Sequence, residues 1–342
     1  MRTSSPRART ACLPVALLFA AGLPPTAALH AQAATAAPPA AAGAPLVIAD
    51  DSTLFPEGLV RDAARGRWLV SSIRHRTIVA VDDAGRVTPF ARDLPRDVGA
   101  VFGMRVDAAR GLLVAASGGL PQMRDFTADD TLRAELLELD LASGALRRRV
   151  PLPEAGRHRL PGDLVIGRDG TWYVTDGLAA RLYVLPVDGP PRTIVSPRFR
   201  SLQGLVLAED ERTLIVADYA NGLLRVPLAG DDTVTAITDT AGRRLQGIDG
   251  LYRHGDALVA TWNARRPGRV LRVTLSSDGR AIADVAVLET VPGDGEPTLG
   301  VILDGALVFI ANSPWSAYDD AGARRPGSVL ARPELRRLPL PR

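Results

Sequence analysis

The chain has 342 residues, with 41 basic residues against 38 acidic ones and a formal net charge of +3 at pH 7. It contains no lysine, which excludes Schiff-base chemistry and a phosphate-loop lysine. The single cysteine, Cys12, lies near the N-terminus, and no basic run is interleaved with aromatic residues. The rest of the chain is therefore without disulfides, thiolate metal sites or a cysteine nucleophile, and nucleic acid is not an expected partner.

The N-terminal residues have the pattern of a secretory signal. Arginines at the start precede an apolar run from about Ala11 to Leu23, and Ala31-Gln32-Ala33 fits a small-x-small cleavage site. We predict a signal peptide at residues 1–33 and a disordered Ala/Pro-rich leader at 34–45; an uncleaved membrane anchor is the alternative. The protein would then be periplasmic or secreted in a bacterium, with no membrane contact after cleavage and with equal numbers of acidic and basic residues.

A repeat extends over the remainder of the chain. In each copy a Gly or Asp is followed by a short apolar strand, a polar turn and a second apolar strand, and copies come roughly 40–60 residues apart. The repeats begin at Glu57-Gly58, Phe102-Gly103, Gly162-Asp163, Gln203-Gly204, Asp249-Gly250 and Leu299-Gly300. This spacing predicts an all-β fold over residues 46–342, a single six-bladed β-propeller of four-stranded antiparallel blades.

Three segments of this propeller call for separate predictions. The last repeat lacks an outer strand, so we expect the strand that begins at Leu46 to complete that blade and to remove an exposed edge. The long segment from Gly118 to Arg133 is either a lid over one face of the propeller or a loop that extends into solvent. The stretch from Asp130 to Leu139 could form a helical turn or two.

The start of each repeat indicates where a functional site would lie. The first strand of a propeller blade lines the central channel, so equivalent residues of distant repeats meet at one mouth of that channel. Glu57, Gln203 and Asp249 occupy this position, and Asp163 is a fourth candidate. Carboxylate and amide oxygens suit Ca²⁺, whereas the absence of an imidazole argues against zinc. Alternatively, each polar residue satisfies only backbone groups in its own turn.

The chain resembles the SMP-30/gluconolactonase/LRE-like superfamily of six-bladed propellers. The resemblance rests on Phe55-Pro56-Glu57-Gly58-Leu59, Leu202-Gln203-Gly204-Leu205 and Ile248-Asp249-Gly250-Leu251 in this order. It implies that Glu57, Gln203 and Asp249 bind one divalent cation, usually calcium, which would polarise a lactone carbonyl or activate water. It also implies that Asp249 doubles as the catalytic base.

This sequence departs from the family pattern at the residues that would hold a sugar. Gln203 replaces an Asn, Phe102-Gly103-Met104-Arg105 replaces an Asn-Asp pair, and Gly162-Asp163 lacks a leading Asn. We therefore expect a less polar lactone or ester as substrate. Phe102 and Arg105 are the candidates for substrate contact, together with Trp315, whose alternative role is packing between blades.

Three hypotheses for the function stay open at this point. The first is a metal-dependent lactonase-type hydrolase, and the second is a non-catalytic propeller of the NHL type that binds a protein, a peptide or a small ligand. The third is a strictosidine-synthase-like propeller, against which the two acids count. No Gly-x-Ser-x-Gly motif indicates a serine hydrolase. We expect a monomer that takes a small-molecule substrate or ligand.

Overall fold

The computed structural model describes residues 44–92, 94–154, 156–229 and 233–341. These residues form six four-stranded antiparallel sheets arranged as the blades of a propeller, which confirms the predicted fold class. The predicted signal peptide and most of the predicted leader, residues 1–43, lie outside the described residues. No helix in the described ranges is long and apolar enough to span a membrane.

The strands follow one another along the chain, and each blade runs from an inner to an outer strand. Blade 1 comprises β2 (Pro56–Asp62), β3 (Arg67–Ser72), β4 (Thr77–Val81) and β5 (Val87–Pro89). Blade 2 comprises β6 (Ala100–Asp107), β7 (Leu112–Gly118), β8 (Ala134–Asp140) and β9 (Leu146–Pro151). Blade 3 comprises β10 (Pro161–Ile166), β11 (Trp172–Asp176), β12 (Arg181–Leu185) and β13 (Arg192–Ile194).

The second half of the ring repeats this order. Blade 4 comprises β14 (Leu202–Leu207), β15 (Thr213–Asp218), β16 (Gly222–Pro227) and β17 (Thr235–Ala236). Blade 5 comprises β18 (Ile248–His254), β19 (Ala257–Trp262), β20 (Arg269–Leu275) and β21 (Ile282–Thr290). Blade 6 comprises β22 (Gly300–Leu303), β23 (Ala306–Ile310), β24 (Glu334–Pro339) and β1 (Val47–Ile48). Short 3₁₀ helices lie at Ala63–Arg65, Ala128–Leu132 and Trp315–Ala317.

The hydrophobic core is divided among the interfaces between blades. The second strands, such as β7, β15 and β19, are buried along their whole length, which explains their nearly continuous apolar sequences. Each cluster of buried side chains joins strands of neighbouring blades. Because no blade buries its faces alone, the six copies stabilise one another as a closed ring.

The N-terminal strand closes this ring, as predicted. Val47 pairs with Leu335 and Ile48 with Glu334, so β1 forms the outer edge of blade 6. The next residues join this edge to blade 1, because Asp50 accepts a hydrogen bond from Val87 N at 2.9 Å and donates its own N–H to Gly85 O at 2.9 Å. Blades 1 and 6 are thereby tied together.

The long segment of blade 2 packs against the ring. Leu120 and Met123 are buried in the same hydrophobic cluster that Trp315 contacts, and Gln122 Nε2 donates to Asp319 O at 2.8 Å. The helical turn considered for Asp130–Leu139 is wrong in its position, because the 3₁₀ helix ends at Leu132 and the remainder is strand β8. Pairing with β7 overrides the local helical preference there.

Candidate functional site

Bulges in the inner strands aim the repeat's first residues at one mouth of the channel. The pairing register between inner and second strands shifts at the start of five inner strands, those of blades 1 to 5. The shifts coincide with Glu57-Gly58, Phe102-Gly103, Gly162-Asp163, Gln203-Gly204 and Asp249-Gly250. A bulge places two residues opposite one and re-aims a side chain, so it converts a repeated position into a ring of side chains.

Close approach between inner strands explains why glycine recurs in these bulges. A Cβ on Gly58 would stand 2.3 Å from Phe102 O, and one on Gly204 would stand 2.4 Å from Leu251 N. No side chain fits at either distance. The bulge also needs a partner for its N–H groups, and Gly58 N donates to Ser71 Oγ at 2.7 Å from the second strand.

The predicted site residues meet in one cavity of about 80 Å³ at this mouth. It is lined by Glu57, Phe102, Asp163, Gln203, Asp249 and Trp315. Leu160, Leu178 and Leu299 add an apolar wall, and Arg200 and Ser201 also line the cavity. Leu299 begins the sixth repeat and was expected at this mouth, whereas sequence reasoning missed the other four residues. An apolar pocket with a few convergent polar groups is the usual form of a small-molecule site.

Among the predicted site residues, Arg105 alone does not line this cavity. It lines a separate cavity of about 630 Å³ formed by the other ends of the inner strands. Its Nη2 donates to Asp163 Oδ2 at 3.0 Å, and its Nη1 donates to Met104 O at 2.8 Å. Arg105 thus neutralises Asp163 from the far side of the bulge.

Glu57, in the first strand of blade 1, is held by Trp315, which lies between two strands of blade 6. Trp315 Nε1 donates to Glu57 Oε2 at 2.9 Å, and the Trp315 ring meets Phe55 edge-on with centroids 4.9 Å apart. Burial raises the pKa of Glu57 well above its usual range, and the nearby Asp249 carboxylate raises it further, although the Trp315 hydrogen bond opposes both. Glu57 therefore carries an unfavourable charge when it is ionised.

Asp249 is oriented by a side chain of its own blade. Asn263 Nδ2 donates to Asp249 Oδ2 at 2.7 Å and to Pro297 O at 3.1 Å, and Asn263 Oδ1 accepts from the Tyr219 hydroxyl at 3.0 Å. Burial raises the pKa of Asp249 to about 7 against the stabilising hydrogen bond from Asn263. Its Oδ1 has no hydrogen-bond partner among the described residues.

The third carboxylate of the cavity differs from the other two. Burial raises the pKa of Asp163, but the Arg105 guanidinium and the N–H of Leu164 oppose this rise. No arginine forms such a pair with Glu57 or Asp249 among the described salt bridges, so these two acids lack the compensating charge that Asp163 has.

The orientation of Gln203 follows from a neighbour on the same strand. Gln203 Nε2 donates to Ser201 Oγ at 3.3 Å, while its Oε1 lies on the side of Gly162, which also lines the cavity. The Gln203 backbone carbonyl accepts from Thr175 Oγ1 at 2.7 Å. The amide oxygen is therefore available to coordinate a cation.

Buried aspartates at the ends of two second strands fix the wall of the cavity. Asp176 Oδ1 accepts from the N–H groups of Leu160 at 3.0 Å and Leu178 at 3.0 Å. Asp218 Oδ2 accepts from Arg200 N at 2.6 Å and Ser201 N at 3.2 Å. The same device in blades 3 and 4 thus determines which side chains border the cavity.

The fold and the cavity together define the protein as a six-bladed β-propeller with a carboxylate-lined pocket at one mouth of its channel. The sequence matches no protein-family model, and the search of curated proteins gives no match. Solved structures share the fold, as the resemblance predicted, and one of them is a gluconolactonase from Xanthomonas campestris. It is 19% identical, with a TM-score of 0.53 over 79% of this chain and 86% of that chain.

Two further solved structures with this fold carry other activities in their names. The PQQ-bound aldose sugar dehydrogenase of Streptomyces coelicolor is 16% identical, with a TM-score of 0.58 over 86% of this chain and 96% of that chain. A catalytically inactive virginiamycin B lyase of Staphylococcus aureus with quinupristin is also 16% identical, with a TM-score of 0.55 over 86% and 87% of the two chains. These likenesses show the fold, and the activity must be argued from the site.

The donor set of the cavity fits a divalent cation in charge and chemistry. Glu57 and Asp249 are buried carboxylates whose charges no described basic side chain pairs with, and Gln203 adds an amide oxygen. The described residues contain no group of three or more His, Cys, Asp or Glu arranged to hold a metal ion. The fit therefore rests on two acids and an amide, with water for the other ligands.

Proposed function

We propose that the chain is an exported hydrolase of a lactone or ester that depends on Ca²⁺ or another divalent cation and works in this cavity. One observation carries the proposal: Glu57 and Asp249 are both buried at the same mouth, without a basic partner among the described residues. Two buried like charges raise each other's free energy, and a cation bound between them would relieve that cost.

Glu57, Gln203 and Asp249 would hold the cation, which when bound would polarise the carbonyl of the substrate. Trp315 and Asn263 would keep the two carboxylates in place through their hydrogen bonds. Asp249 is suited to accept a proton from water, because its Oδ1 has no hydrogen-bond partner among the described residues.

The apolar wall supports a substrate less polar than a sugar lactone. Phe102, Leu160, Leu178, Leu299 and Trp315 provide aromatic and aliphatic surface around the acids. Such surface favours an acyl or alkyl group next to the reacting carbonyl. The proposed export rests on the signal pattern at residues 1–33, and a monomer would suffice for activity, because one chain supplies all the residues that line the cavity.

The direct test is hydrolysis of a panel of lactones and 4-nitrophenyl esters by the chain without residues 1–33, with Ca²⁺ or with EGTA. We expect turnover that needs the cation and is lost in Asp249→Asn. Glu209→Gln is the control, because Glu209 is exposed and lies away from the cavity. Cation binding without turnover of any ester or lactone would instead support a non-catalytic propeller that binds a ligand.

A further inference from the structure

Arg200 lies at the edge of the cavity in a position that the fold determines. It lies two residues before the first residue of strand β14, and both its N–H and that of Ser201 donate to the buried carboxylate of Asp218. The main chain of Arg200 is therefore anchored to the second strand of blade 4. Arg200 is exposed, and it borders both the cavity that contains Glu57 and Asp249 and a second cavity of about 160 Å³ that Arg198 and Arg244 also line.

The guanidinium of Arg200 keeps one edge free. Its Nη1 donates to the carbonyls of Pro197 at 2.9 Å and Phe199 at 2.7 Å, which holds the group in place. Nε and Nη2 form no hydrogen bond, and the group forms no ion pair, among the described residues. By contrast, Arg105 pairs with Asp163, and Arg266, which lies near the same mouth, pairs with Glu296.

The charges at the mouth indicate which kind of group the free edge of the Arg200 guanidinium would bind. Arg105 cancels the charge of Asp163, and a divalent cation would cancel those of Glu57 and Asp249. Arg200 would then be the charged side chain of the cavity lining that has no oppositely charged partner among the described residues. A negatively charged group on the substrate would be attracted to that guanidinium.

We infer that Arg200 binds a carboxylate of the substrate, so that the substrate class is lactones or esters bearing a free carboxylate. The Nε and Nη2 edge of a guanidinium presents two parallel N–H groups, which match the two oxygens of a carboxylate. This inference rests on the proposed function, because the reacting carbonyl is taken to meet the cation site. Arg200 is then a specificity residue and takes no part in the proton transfer.

The kinetic test compares two esters of similar length, the 4-nitrophenyl monoester of glutaric acid and 4-nitrophenyl pentanoate. Arg200→Gln should raise KM for the charged ester about tenfold, as expected for one charge-assisted hydrogen-bonded pair, and leave the neutral ester unchanged. Arg198→Gln is the matched control, because Arg198 is exposed on the same segment but lies outside the cavity. Equal effects of Arg200→Gln on both esters, or none on either, would overturn the inference.

A binding measurement separates this inference from the proposed hydrolase activity. Calorimetry with Ca²⁺ present should show that the wild-type chain binds glutarate more tightly than glutaramide and that Arg200→Gln reduces this preference about tenfold. If no ester is hydrolysed but this result holds, the hydrolase proposal fails and the role of Arg200 stands. If the wild-type chain does not prefer glutarate, or if Arg200→Gln leaves the size of the preference unchanged, the role of Arg200 is refuted.

Discussion

Replacing Asp249 by Asn should stabilise the protein when no divalent cation is present. The substitution keeps the shape of the side chain and an oxygen that accepts from Asn263 Nδ2, but it removes one of two buried charges without a described basic partner. Catalytic and ligand-binding residues often carry such a cost in stability. The variant would lose the cation site and gain free energy of unfolding.

The magnitude follows from the pKa of Asp249, which rises from 3.8 to about 7 on folding. A carboxyl with a raised folded pKa favours the protonated form, so its ionisation costs stability. This cost is absent below the unfolded pKa, grows as pH rises toward 7, and is constant above that. At pH 8 it amounts to roughly 2–4 kcal/mol, and Asp249→Asn should raise Tm by roughly 5–10 °C.

Thermal unfolding in EGTA at pH 8 and at pH 5 measures this effect. The advantage of Asp249→Asn should shrink at pH 5, and added Ca²⁺ should raise Tm for the wild-type chain alone. Asp163→Asn is the control, because Asp163 is equally buried but paired with Arg105. That variant should lower Tm by leaving a cation unpaired. A Tm for Asp249→Asn at or below wild type at pH 8 would refute the reasoning.

Other perturbations test the ring and the cavity. Deletion of residues 46–50 should lower Tm by roughly 10 °C in calorimetric scans, because blade 6 loses its outer strand and its tie to blade 1; an unchanged Tm would contradict closure. Trp315→Phe should weaken Ca²⁺ binding about tenfold by freeing Glu57, and an unaltered Kd would argue against that role. Gly58→Ala should lower the urea midpoint, since its Cβ would overlap Phe102 O.

The propeller could be predicted because the same packing recurs in every blade and therefore requires a similar pattern of residues in every repeat. Second strands are buried on both faces and must be apolar, and the bulges need glycine where neighbouring inner strands touch. The meeting of Glu57, Gln203 and Asp249 followed from the same periodicity. Equivalent repeat positions are equidistant from the axis, so residues far apart in sequence become neighbours.

Other parts of the site depend on contacts that repeat spacing does not encode. Arg105 follows the bulge of β6, and its side chain leaves the mouth to pair with Asp163 in the next blade. Arg200 belongs to a segment whose place is determined by Asp218. The aspartates at the ends of the second strands bind N–H groups of preceding segments, and those partners depend on the tertiary fold. Asn263 was missed for the same reason.

The central claim is that Glu57 and Asp249 form a cation site at the mouth of the propeller. Calorimetric titration of Ca²⁺ into the chain without residues 1–33, and into its Asp249→Ala variant, tests it most directly. We expect one Ca²⁺ per wild-type chain and no measurable binding to the variant. Absence of divalent-cation binding to the wild-type chain, or equal binding to both proteins, would contradict the claim.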